Sequence, residues 1–297
     1  MVVHDRALRL SAHHRWPWQA TERNDAVVPE AFFPLIVCKL VLTQAAIVER
    51  RLMNTIDANI TLGELVNEKP ACMSLLERLR LDYCCGGAQT LAEACARRGL
   101  DQHTVCAVLE VLEETPAQLP ELEELDWRRA SLGELCDHIV ERHHEGLRRE
   151  LPRIEELLRT VVRVHGPGHA GLHDLQRTFV GMSEELLPHL ELEERVFFPA
   201  ARKLEVDGAL VDEALLQKHE HDHEHVGDSL TALRELTSDY RADRALCGTH
   251  RALLDALRSL EQDLHQHIHE ENNVLLPRVR ALNAMASTPT AKGGGAP

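Results

Sequence analysis

The 297-residue sequence predicts an all-α protein: a small N-terminal helical domain followed by an up-down four-helix bundle. Three observations carry this reading. Leu, Ala, Glu and Arg are abundant in a composition that is 44% hydrophobic but only 3% aromatic, a balance typical of helical proteins. Thr61-Leu-Gly-Glu64 and Ser131-Leu-Gly-Glu134 are capping boxes, in which a hydroxyl and a carboxylate three residues apart satisfy the free N–H groups of a helix start. One frame occurs twice, 78 residues apart: His189-Leu-Glu-Leu-Glu193-Glu-Arg-Val196-Phe-Phe-Pro199 and His267-Ile-His-Glu-Glu271-Asn-Asn-Val274-Leu-Leu-Pro277.

The chain divides by pattern. Residues 1–52 form an atypical extension, with Trp16, Trp18 and a largely apolar stretch from Ala31 to Val48 that contains Pro34 and Lys39. That stretch makes a poor membrane span and a poor signal peptide, and Met53 reads as the true start. Residues 53–114 form the small domain, with short helices expected near 61–68, 70–81, 89–98 and 102–114, the third ended by Gly99. Between the second and third lies Asp82-Tyr83-Cys84-Cys85-Gly86-Gly87. The glycines imply a tight turn, and thiols just ahead of a helix start are expected to lean toward thiolate. Residues 115–130 read as an acidic, Pro-containing linker, and residues 131–282 as the bundle.

The first bundle helix should run from Ser131 to about Val164 and kink at Pro152. The second should span about 171–200, the third about 207–236 and the fourth about 243–281. In each repeat the Pro is expected to stop its helix. The tail, residues 283–297, is rich in Ala, Thr, Pro and Gly and reads as disordered.

Residues i and i+4 share a helix face, so each His-x-x-x-Glu frame aims an imidazole and a carboxylate at one spot. Two such helices facing each other suggest a two-metal site. Further nitrogen donors must come from His138, His143 or His144 on the first helix and from His219, His221, His223 or His225 on the third. Helical spacing leaves these open, because His219/His223 and His221/His225 are both i,i+4 pairs. His219-Glu220-x-x-His223 also matches the zinc metalloprotease pattern, but it lacks that pattern's continuation. A net charge of −15 argues against nucleic acid or anionic membranes as partners. Eight Cys without a paired framework or a C-x-x-C point to a reducing compartment and away from a four-Cys metal site.

From about Thr61 to Pro277 the sequence resembles the iron–sulfur cluster repair di-iron proteins of the RIC and ScdA type. The resemblance rests on Asp82-Tyr-Cys-Cys-Gly-Gly87, Asp126-Trp127-Arg128, the two His-x-x-x-Glu frames and Asn272-Asn273-Val274. It implies a hemerythrin-like bundle holding two oxo- or hydroxo-bridged irons. On it, His144, His189, His223 and His267 would be terminal ligands, with Glu193 and Glu271 as bridges. His223 is selected because it stands four residues before Gly227; Asp222 and Glu224 depart from the family pattern there and leave His219 as a substitute or added ligand. His165 matches a recurring His without being assigned a ligand role. The resemblance further implies a cytoplasmic homodimer that repairs clusters damaged by oxidative or nitrosative stress, by donating iron or handling nitric oxide. Damaged iron–sulfur proteins would be its partners, and Cys84 and Cys85 thiols for iron or nitrosyl transfer. The reading from another class is a hemerythrin-like binder or sensor of oxygen or nitric oxide without repair activity.

Overall fold

The computed structural model describes residues 56–114 and 126–287, and every named element in that range is helical. The expectations for the N-terminal extension, the acidic part of the linker and the chain's last ten residues lie outside the described residues.

The small domain contains α1 (Leu62–Glu68), α2 (Met73–Leu79), α3 (Leu91–Arg98) and α4 (Gln102–Glu114). The Thr61 box forms as expected, and a second box, Thr90 with Glu93, opens α3. The two helix starts lie side by side: Leu62 N–H donates to Gln89 O at 2.8 Å and Leu91 N–H to Ile60 O at 2.9 Å. Gly99 closes α3 at φ 66°, a left-handed conformation that costs glycine little. Leu62, Leu65, Leu76, Leu91 and Leu109 fill the domain's own apolar core.

The bundle contains α5 (Leu132–Ile139) and α6 (Glu145–His165); α7 (Gly171–Leu192) and α8 (Phe198–Asp207); α9 (Glu213–Leu236); and α10 (Gly248–Glu270) and α11 (Leu276–Ser287). α5 with α6, α7 with α8 and α10 with α11 each form one rod, joined through π-turns at Val140–His144, Glu193–Phe197 and Glu271–Leu275 in turn. The expected stop at each repeat Pro does not occur. Phe198 N–H reaches back to Glu193 O and Leu276 N–H to Glu271 O, five residues rather than four. The ladder changes register there, and a Pro without N–H falls at the changeover, where a missing donor costs least. The helices therefore continue to Asp207 and Ser287. α6 likewise continues through Pro152.

The last helix also runs past Asn283, into the stretch read as a tail. Asn283 holds the chain ahead of α9 in a two-way amide pairing, accepting from Val211 N–H at 3.0 Å and donating to Val211 O at 2.8 Å. Val196 departs from the inward pattern of its repeat: it is exposed, whereas Val274 is buried.

The bundle's apolar side chains form two clusters. One contains Leu147, Leu186, Leu190, Val226, Leu264 and Ile268. The other contains Ile139, Phe197, Leu216, Val274 and Leu275. Along every rod the changeover between clusters falls where the candidate ligands stand. The polar site is thus a layer between two dry plugs.

Candidate metal centre

His144 enters from the first rod, His189 and Glu193 from the second, His219 and His223 from α9, and His267 and Glu271 from the last rod. All seven are buried, with Glu193 and Glu271 fully so. Their ligand atoms fall into two groups that share both carboxylates. One comprises His144, His267, Glu193 and Glu271; the other His189, His219, His223, Glu193 and Glu271.

His144 Nε2 faces His267 Nε2 at 3.2 Å, and His189 Nε2 faces His223 Nε2 at 3.1 Å. Two imidazole nitrogens about 3 Å apart suit neighbouring ligands of one ion, with metal–nitrogen bonds of about 2.0–2.1 Å. The carboxylates stand between: Glu193 lies 2.9 Å from His189 Nε2 and 3.3 Å from His144 Nε2, and Glu271 lies 3.0 Å from His223 Nε2 and 3.3 Å from His267 Nε2. Both oxygens of both carboxylates are buried with no aligned hydrogen-bond donor, as is His219 Nε2. Orphaned buried carboxylate oxygens are costly unless a cation satisfies them, so the donor set fits two bridged metal ions.

The other ring nitrogens of His144, His189 and His223 are held from outside. Glu194 lies 2.7 Å from His144 Nδ1 and is paired with Arg148 at 2.8 Å. Asp222 lies 3.2 Å from His189 Nδ1 and is paired with Lys218. Asn272 Oδ1 accepts from His223 Nδ1 at 2.8 Å. Each partner fixes Nδ1 as the protonated nitrogen and turns the Nε2 lone pair inward.

Burial and the Glu271 charge push Glu193 up to about 8. Burial works against ionised Glu271 too, but the surrounding His267, His219 and His223 outweigh it and hold that carboxyl well down. Burial, then repulsion from His223, pulls His219 down to about 4, so it is a neutral donor at pH 7.

The structure thus brings together all six residues named from sequence, and His219, left open there as a substitute or added ligand, lies beside His223 and not in its place. His221 and His225, the other i,i+4 pair, are exposed and lie ring against ring. His165 sits at the far end of α6, outside every cluster of candidate ligands among the described residues. Glu220, the base in a metalloprotease reading, is paired with Arg280 at 2.6 Å.

Residues 135–279 match the Hemerythrin HHE cation binding domain, and residues 58–113 match the ScdA_N domain of unknown function (DUF542). The chain is 34% identical over 220 residues to iron–sulfur cluster repair proteins YtfE of Escherichia coli O17:K52:H18 and Shigella boydii serotype 4, covering 74% of this chain and 96% of each relative. The YtfE of Escherichia fergusonii matches with the same identity and coverage. This chain belongs to the iron–sulfur cluster repair protein family.

In this family member the Cys-Cys-Gly-Gly loop is docked on the helices that carry the candidate ligands. Asn273, two residues beyond Glu271, donates through Nδ2 to Cys84 O at 2.9 Å and Tyr83 O at 3.2 Å. The glycines serve close approach, not a left-handed turn: a Cβ on Gly87 would stand 2.2 Å from Asn273 Oδ1, and one on Gly63 2.5 Å. Cys85 Sγ lies 3.5 Å from His223 O and would lie 3.5 Å from a Cβ on Gly227. The thiol thus lies against α9 one turn from a candidate ligand.

The expected lean toward thiolate fails at Cys84. Its thiol is pushed well up by the hydrogen bond to Cys85 and by burial, with the Asp82 carboxylate adding to the effect. The helix start that was to favour thiolate begins at Leu91, and the Thr90–Glu93 box already satisfies it. Asp82 Oδ1 accepts from the N–H of Cys84 and Cys85 at 3.1 and 3.0 Å, shaping the loop. Among the described residues no helix is long and apolar enough to cross a membrane.

Proposed function

We propose that this protein repairs damaged iron–sulfur clusters. In this reading two irons would be held by Glu193 and Glu271 together with His144 and His267 on one side and His189, His223 and His219 on the other. The observation that carries it is the convergence of buried, unsatisfied carboxylate oxygens on paired imidazole nitrogens, in a chain whose relatives are named for cluster repair. Bound there, the iron pair supplies exchangeable metal for a damaged cluster and coordination positions for oxygen or nitric oxide.

The chain's own groups set the conditions. Glu194, Asp222 and Asn272 hold the imidazoles in ligating orientation, and the two apolar clusters keep bulk water from the layer. A cavity of about 390 Å³ lined by His189, Asp222 and Val226 gives a small molecule a way in. Cys84 and Cys85, packed on the helix that carries His223, are the proposed thiols for passing iron or a nitrosyl group to the target. Damaged iron–sulfur proteins are the partners in this reading, the cytoplasm its setting and a homodimer its assembly.

The test is recovery of a purified iron–sulfur hydratase inactivated by nitric oxide. The wild-type protein should restore its activity, and Glu193→Gln/Glu271→Gln protein should not. Repair at the wild-type rate by a Cys84→Ser/Cys85→Ser variant would remove the thiols from the mechanism. One observation favours oxygen or nitric oxide binding without repair: His219 adds a fifth imidazole, and more nitrogen ligands retain metal more firmly. Reversible gas binding with no recovery of the hydratase would establish that reading instead.

A further inference from the structure

We propose that His138, His143 and Glu270 form a third, mononuclear divalent-metal site, distinct from the paired centre. His138 Nε2 lies 3.2 Å and His143 Nε2 3.5 Å from Glu270 Oε2, and the three ligand atoms lie within 4.8 Å of one another. All three atoms are buried, yet none has an aligned hydrogen-bond partner. Both imidazole nitrogens face the same carboxylate oxygen, Glu270 Oε2. His143 is fully buried and Glu270 nearly so. A buried carboxylate beside two imidazole nitrogens needs a cation.

The surroundings are those of a built site. Asp263 Oδ1 accepts from His143 Nδ1–H at 3.0 Å, which fixes the proton on that nitrogen and leaves Nε2 free to ligate. Trp127 stacks on the His138 ring at 4.0 Å and fixes its plane. His138 and Glu270 line a cavity of about 590 Å³ shared with Trp127, Asn67 and Arg142. The metal would therefore meet solvent, unlike the pair enclosed between the apolar clusters. Two imidazoles and one carboxylate with room for water suit ferrous iron or zinc.

None of the three ligands belongs to the paired centre. His143 and Glu270 are chain neighbours of His144 and Glu271, and the His143 and His267 rings stack at 5.2 Å, but no ligand is shared. The internal repeat does not generate the cluster either: the first repeat has Leu192 where the second has Glu270. The competing reading is a metal-free ion pair. Burial pulls the His143 pKa down, but the neighbouring Asp263 and Glu270 carboxylates outweigh this and leave it at about 9, so a proton could stand in the cation's place.

Cobalt(II) uptake by the metal-free full chain separates the two readings. Equilibrium dialysis should show one cobalt equivalent beyond the paired centre, lost in His138→Ala and in Glu270→Gln. Glu193→Gln/Glu271→Gln protein should lose the pair and keep that single equivalent, so failure of the paired centre and failure of this site give different counts. Crystals of the wild-type protein should show an anomalous cobalt peak between His138, His143 and Glu270, which decides the matter even if a variant does not fold. Equal uptake by wild type and Glu270→Gln, with no peak there, would overturn the proposal in favour of the ion pair.

Discussion

Asn273→Ala should detach the Cys84–Cys85 loop from the bundle without unfolding either. The side chain donates to Cys84 O and Tyr83 O, two carbonyls with limited access to water. Each net hydrogen bond contributes about 0.5–1.5 kcal/mol, so their joint loss weakens docking by about 1–3 kcal/mol. That raises the population of the opened loop about five- to 150-fold. Asn67 Nδ2 donates to the backbone O of Asn273 and is untouched by the substitution, so the effect should stop short of full separation. The reporter is Cys84, which is only 5% exposed and reacts when the loop opens. Its rate of modification under native conditions, followed by mass spectrometry, should rise by that factor while helicity is unchanged. Gly87→Ala should act in the same direction, because its Cβ would overlap the Asn273 amide and overpacking costs about 1–3 kcal/mol. Unchanged Cys84 reactivity in both variants would refute the idea that Asn273 clamps the loop.

Two further outcomes follow from the electrostatics. In the native wild-type protein at pH 8, an alkylating reagent should label the partly exposed Cys85 well before Cys84, whose thiol is buried and held up; equal labelling would contradict this. Metal loading should be proton-coupled, because the Glu193 proton, bound below about pH 8 in the metal-free protein, must leave before the carboxylate can bridge. Apparent affinity for ferrous iron should therefore rise by up to about tenfold per pH unit between pH 6 and 8 and level off above. A titration series that is flat across that window would count against Glu193 as a bridge.

Much of the site was legible because its ligands are local in sequence. His189/Glu193 and His267/Glu271 each occupy one helix face, and their recurrence marks them as a pair. His219 was legible in part. Leu216, His219, His223, Val226, Leu230 and Leu233 recur at alternating spacings of three and four, the seam that faces a bundle core, whereas His221 and His225 fall off it. The apolar neighbours, more than the histidines, identify the inward pair. The π-turns were not legible, since a five-residue hydrogen bond leaves no compositional mark and its one trace, the Pro, reads as a stop. Nor was the environment of Cys84: its burial arises from Asn273 and α9, far away in sequence. His143 and Glu270 stood beside stronger candidates, and only the approach of α10 to the first rod shows that they face each other.

Iron content of the Glu270→Gln protein, loaded anaerobically, is the most direct test of the paired centre, because that background removes the third site. Two tightly held irons per chain are expected, and both should be lost when Glu193→Gln and Glu271→Gln are added. Failure of the Glu270→Gln protein to retain iron, or retention of both irons after the two bridging carboxylates are removed, would contradict the assignment.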